Sequence, residues 1–153
     1  MPQWKDLLIA VEEIEDKYGS TLRKPVSATE IMKMNQTIKE KLENFVLPDS
    51  YIEFLKKING LDFNGLVIYG VDEVLLDMEM DGEVHGFIEN NEIWHENDWQ
   101  KKYVFFGDSD TAWFCFDLKA GVYVELDKPS GTLIQSFESF DSMLKEALET
   151  ILL

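Results

Sequence analysis

Basic side chains are scarce in this sequence, and one long stretch has none. The 153 residues include 14 Lys and Arg against 30 Asp and Glu, for a formal net charge of −16. Binding nucleic acid backbone or anionic lipid requires a Lys/Arg face, so the composition argues against both nucleic acid and membrane as partners. Cysteine is nearly absent. Cys115 stands alone, cannot form an internal disulfide and fits a reducing compartment. No segment approaches the roughly 18 uninterrupted apolar residues of a membrane span. The opening Met1-Pro2-Gln3-Trp4-Lys5-Asp6 lacks the basic start and apolar run of a signal peptide. Phosphate-binding glycine loops, G-x-S-x-G, H-E-x-x-H and paired zinc-ligand cysteines are all missing. The expectation is a cytoplasmic protein that is not an enzyme, with no cofactor and no metal.

What is present argues for a folded domain. Apolar residues make up 45% and aromatics 12% of the chain, too many for an acidic disordered tail. A chain of this length buries roughly two-thirds of its unfolded surface as one domain. One domain over residues 1–153 is expected, with a helix over 3–18 as an elaboration. The charge is unevenly placed. Residues 1–57 and 101–153 carry nets of −1 and −4, whereas Ile58 to Gln100 holds eleven acids and no Lys or Arg. A solvated, charge-rich surface is the ordinary explanation. A recognition face for a basic partner is the sharper one, because one-signed patches steer and orient association.

Hydrophobic periodicity divides the chain. Trp4, Leu7, Leu8, Val11, Ile14 and Tyr18 recur at helical spacing before Gly19. Ser27-Ala28-Thr29-Glu30 has capping-box form and opens a second helix with Ile31, Met34, Ile38, Leu42 and Phe45 on one stripe. After Leu47-Pro48, a short third helix carries Tyr51, Phe54, Leu55 and Ile58, with Gly60 just beyond. Strands are expected at Leu66–Tyr69, Tyr103–Phe106, Trp113–Phe116 and Val122–Leu126, with a further one starting at Leu133-Ile134. Gly107-Asp108-Ser109-Asp110 is expected as a turn. Between Val71 and Trp99 the pattern predicts loop and one short helix around Phe87–Trp94. Ser136 is expected to cap a last helix lined by Phe137, Phe140, Leu144, Ala147, Leu148 and Ile151. Helices, then hairpin-spaced strands, then a helix indicate an α+β fold with an antiparallel sheet packed against helices at both ends of the chain.

Candidate chemistry is thin. Cys115 lies in the aromatic run Trp113-Phe114-Cys115-Phe116, where an inert buried thiol is expected. His85 and His95 match no metal-ligand spacing. Asp77-Met78-Glu79-Met80-Asp81-Gly82 resembles the start of a calcium loop, but position 12 is Ile88, which cannot ligate. Taken at period two, the same segment puts Asp77, Glu79, Asp81 and Glu83 on one side. Trp94, Trp99 and Trp113 with Tyr69 and Tyr103 suggest either a ligand groove or, more commonly, core.

Leu47-Pro48-Asp49-Ser50-Tyr51-Ile52-Glu53-Phe54-Leu55 through Asn59-Gly60 resembles the L-P-x-x-Y-x-x-F-L helix of the SUKH superfamily. That superfamily unites bacterial immunity proteins with Smi/Knr-type regulators of fungal cell-wall synthesis. Phe63-Asn64-Gly65-Leu66, Ile68-Tyr69-Gly70, Phe106-Gly107-Asp108-Ser109-Asp110 and the closing Ser136-Phe137-Glu138-Ser139-Phe140 are similar to its later motifs, in the same order. The resemblance covers roughly residues 45–148 and carries no catalytic motif. It implies a protein-binding domain. One form is an immunity (antitoxin) protein that neutralises a cognate toxin, for which the acidic charge suggests a basic partner such as a nucleic-acid-cleaving one; the other is a regulatory interaction module with an endogenous partner. Asp72–Asp98 fits no superfamily motif, and partner specificity is expected in such stretches. The expected contact residues are Asp72, Glu73, Asp77, Glu79, Asp81, Glu83 and Glu92, with Trp94 and Trp99 as aromatic anchors.

Overall fold

A computed structural model describes residues 3–42, 45–77 and 85–152. The element order is α1 (Trp4–Lys17), α2 (Ala28–Lys41), α3 (Asp49–Lys57), β1 (Leu61–Phe63), β2 (Leu66–Ile68), α4 (Phe87–Trp94), β3 (Tyr103–Asp108), β4 (Ala112–Asp117), β5 (Val122–Asp127), β6 (Leu133–Phe137) and α5 (Phe140–Ile151). Short 3₁₀ turns cover Glu73–Leu75 and Asp98–Lys102. The strands form one six-stranded antiparallel sheet in the order β1-β2-β3-β4-β5-β6, with helices at both ends of the chain. This is the α+β class that the order of periodicities indicates.

The chain divides into two compact units that interleave in sequence. The first comprises Met1–Leu22, Asp62–Val67 and Lys102–Leu153; the second comprises Arg23–Leu61 and Ile68–Lys101.

In the first unit, β3 to β6 form an antiparallel meander, with Cys115 opposite Phe105 on one side and Val124 on the other. Phe140 of α5 meets Phe106 at 5.2 Å and Tyr123 at 6.2 Å between ring centroids, so the closing helix is anchored on the sheet by aromatic burial. α1 packs on α5, and the Trp4 indole N–H donates to Asp141 at 2.7 Å. Two boundaries differ from the sequence pattern. Gly107 and Asp108 belong to β3, because a bulge at Phe106 lets the ladder continue and moves the turn to residues 109–111. Ser136 does not cap α5. Pairing of Phe137 with Tyr123 keeps the chain extended, and Ser139 takes the cap, accepting from Ser142 N–H at 3.1 Å.

In the second unit, α2 begins with the expected capping box, Ser27 and Glu30 exchanging hydrogen bonds of 2.9 and 3.2 Å. Its buried stripe is Ile31, Met34 and Ile38, and α3 buries Tyr51, Phe54 and Leu55. Each such side chain contributes about 1.5–3 kcal/mol of transfer free energy. Tyr51 stacks near Phe54 and meets Phe87 of α4 at 5.6 Å, so α3 and α4 share a core. The end of α3 is tied down by Asn59, whose side-chain oxygen accepts from Val71 N–H at 2.7 Å.

Candidate functional site

The site lies in the second unit, where α2, the Glu73–Leu75 turn and α4 border a cavity of about 340 Å³. Its walls include Lys41 of α2, Val74 and Leu75 of the turn, and Ile88, Glu89 and Glu92 of α4. Apolar side chains and carboxylates share these walls with one cation, Lys41.

The start of α4 depends on a residue distant in sequence. Gly86 is its N-cap and offers no side chain, which leaves the first-turn N–H groups without a local acceptor. Asp72 supplies it: its carboxylate accepts from Ile88 N–H and Glu89 N–H, each at 2.9 Å. A negative charge at a helix N-terminus is favourable in itself. Gly86 is required by the same contact, since a Cβ there would collide with the Asp72 carboxylate. Burial raises the Asp72 carboxyl above its ordinary range, and the two N–H donors oppose that shift without cancelling it. Asp72, expected at a partner surface, is therefore buried and committed to holding α4.

Glu73, Asp77 and Glu92 are exposed. The latter two pair with lysines of α2: Lys33 reaches Asp77 at 2.6 Å and Lys41 reaches Glu92 at 3.0 Å. Sequence reasoning located the acids but not these counter-charges, which come from a helix 44 and 51 residues away along the chain. Glu30 adds a further link, accepting from Asp77 N–H at 3.0 Å. Partial burial pushes the Glu30 carboxyl up, but donors from Ser27 and Asp77 outweigh it and hold the carboxyl below its ordinary value. Glu79, Asp81 and Glu83, and with them most of the calcium-loop resemblance, lie outside the described residues.

The two tryptophans separate. Trp94 is half-buried at the end of α4, and its indole N–H donates to the Tyr69 hydroxyl at 2.9 Å. Tyr51 in turn donates to the Tyr69 carbonyl at 2.6 Å, so Trp94 belongs to a chain that fixes α4 to the core. Trp99, in the turn after α4, remains 41% exposed. Trp113, Tyr69 and Tyr103 are buried as core, not arranged as a groove. The exposed apolar residue that sequence reasoning missed is Val74, at 90%. In Val74-Leu75-Leu76 nothing in the pattern distinguishes an outward side chain from a core one. Cys115 is buried, and burial pushes its thiol well above the ordinary range, which disfavours the reactive thiolate.

Among the described residues, no helix is long and apolar enough to cross a membrane. No group of three or more His, Cys, Asp or Glu among them is placed to hold a metal ion. Fold and surface define an α+β protein whose developed feature is a charged face on a helical unit. The chain belongs to the SMI1 / KNR4 family (SUKH-1), whose model matches residues 25–146. The matched residues begin after α1 and include both units' central elements. Membership supports a protein-binding role of the immunity or Smi1/Knr4 type, in a family that is generally non-enzymatic. No curated protein matches the chain.

Proposed function

We propose that this protein is an immunity protein (antitoxin) that binds a cognate bacterial toxin in the cytoplasm and blocks its active site or its access to substrate. The observation that carries this is the gathering of Glu73, Glu89 and Glu92, from a segment without Lys or Arg, in the walls of one cavity beside Val74, Leu75 and Ile88, with Lys41 of α2 the cation among them. A nucleic-acid-cleaving toxin needs a basic surface, and such a surface complements this face. Asp77, Val74 and Trp99 are further contact residues of this reading, and Glu79, Asp81 and Glu83, outside the described residues, belong to it through their place in the same acidic stretch of sequence. Lys33 and Lys41 do not prevent binding. Their ion pairs are exposed, and such pairs contribute about 0–1 kcal/mol, so a partner's cations can displace them. Asp72 and Trp94 act here by positioning α4.

Titration against toxins encoded beside this gene tests the reading. The double variant Glu73→Lys/Glu92→Lys should lose about tenfold or more in affinity, chiefly in on-rate, and wild-type affinity should fall with added salt. Full affinity in the double variant would remove the acidic face from the proposal. The family match itself favours a second reading, a regulatory module of the Smi1/Knr4 type bound to an endogenous protein. A neighbouring toxin gene supports the first reading; an isolated locus with a housekeeping phenotype on deletion supports the second.

A further inference from the structure

The dipeptide Asn-Gly occurs twice in the chain, as Ile58-Asn59-Gly60-Leu61 and Phe63-Asn64-Gly65-Leu66. Asparagine loses its amide most readily before glycine, which has no Cβ to keep its nitrogen off the preceding side chain. Both copies follow a large apolar residue and precede leucine, so sequence gives them the same reactivity. The fold gives them opposite surroundings. Asn59 is 1% exposed, and Val71 N–H donates to its side-chain oxygen at 2.7 Å. Asn64 and Gly65 are exposed and form the turn between β1 and β2.

The Asn64 amide caps a helix distant in sequence. Its Nδ2 donates to the Ile151 carbonyl at 3.2 Å. Ile151 is the last residue of α5, so that carbonyl is one of the four that a helix end leaves without an internal partner. The negative end of the helix dipole favours a donor there and opposes an anion. A carboxylate already stands beside the turn, since a Cβ on Gly65 would lie 3.5 Å from an Asp110 side-chain oxygen.

We infer that Asn64 is a site of spontaneous deamidation and that its conversion releases the C-terminal end of α5. The Gly65 nitrogen attacks Asn64 Cγ, and the new N–Cγ bond closes a five-membered succinimide. The Cγ–Nδ2 bond breaks, and Nδ2 leaves as ammonia with the proton of the Gly65 N–H. Water then opens the ring at either carbonyl, giving aspartate or isoaspartate. Freeing the Asn64 amide breaks an exposed hydrogen bond, whereas freeing Asn59 requires a buried junction to open. Either product exchanges the amide donor for a carboxylate, which cannot donate to Ile151 and is repelled by Asp110. Isoaspartate also adds a methylene to the main chain of a two-residue turn whose length sets the β1–β2 register. None of these residues belongs to the face proposed to bind a partner, so the two proposals fail separately.

The test follows the full chain, folded and in denaturant, at mildly alkaline pH by peptide mapping with fragmentation that separates isoaspartate from aspartate. In denaturant, Asn59 and Asn64 should convert at rates within about twofold, whereas in the folded protein Asn64 should convert at least about a hundredfold faster than Asn59. Asn64→Gln, whose ring closure would be six-membered, should abolish conversion at residue 64 while circular dichroism stays unchanged. Asn64→Asp reproduces one product. It should speed amide hydrogen exchange at Ile151 and Leu152 by about tenfold, with the centre of α5 unaffected. A folded Asn64 that stays intact while the denatured chain converts would overturn the inference. So would a folded Asn59 that keeps pace with Asn64, or exchange at the end of α5 that is unchanged in Asn64→Asp.

Discussion

Gly70→Ala is expected to lower the melting temperature by roughly 10–15 °C, through a destabilisation of about 3–5 kcal/mol. A Cβ on Gly70 would lie 2.8 Å from both the carbonyl carbon and oxygen of Asn59, and would also strike the Asn59 side-chain oxygen. That oxygen already accepts from Val71 N–H, so it cannot swing away without leaving a buried donor unpaired. Gly70 is fixed from its other side too, donating to the His85 carbonyl at 3.0 Å and accepting from Phe87 N–H at 2.8 Å. Relief therefore requires the chain after α3 to separate from the chain before α4. Against a total stability of about 5–15 kcal/mol, such a loss is large. Hydrogen exchange at Val71 should accelerate with the thermal shift. Removing the Asn59 side chain in the same protein should not restore stability, since the backbone contacts remain. A melting temperature within about 2 °C of wild type would show that this junction is looser than its geometry.

The junction also shows where sequence patterns stop. Asn59-Gly60 is legible as a helix stop after Ile58, and α3 does end at Lys57. That the Asn59 amide then fastens residue 71 is not legible, because the partner is twelve residues away and carries no signal of its own. The elements that pattern reasoning located most closely, α1, α2 and α4, have a strong stripe, a local cap or a short apolar repeat. The hairpin β1–β2 was missed although Asn64-Gly65 marks it: Asn64 at φ 49° and Gly65 at φ 85° have the positive dihedrals of a two-residue primed turn. The apolar run Leu66–Tyr69 drew attention to one strand and away from its three-residue partner. For the candidate site, the charge asymmetry points only to the whole stretch Ile58–Gln100. It did not separate surface acids from structural ones, because Asp72 and Glu73 differ only in which tertiary donors surround them.

That difference sets the second large effect. Asp72→Ala removes the acceptor for two N–H groups at the start of α4, one of them buried. Cap loss and an orphaned buried donor together amount to about 2–3 kcal/mol. Asp72→Asn should fall between Ala and wild type, since its single carbonyl oxygen serves two donors. The same pair of proteins carries a pH signature of definite sign. Burial holds the folded Asp72 carboxyl above its ordinary value, so over that interval the folded chain binds more proton than the unfolded chain. Stability from this group is therefore present below the ordinary carboxylate range and falls as pH rises through the raised folded value. The wild-type advantage over Asp72→Asn should shrink across that window and then level off, as read by chemical denaturation at a series of pH values. An advantage that grows with pH would mean that the two N–H donors outweigh burial. Because Asp72 holds α4 from inside, Asp72→Ala should also weaken partner binding, but without flattening its salt dependence. Glu73→Lys/Glu92→Lys should flatten that dependence and leave stability nearly unchanged. The two variants thus separate what builds the acidic face from what that face presents.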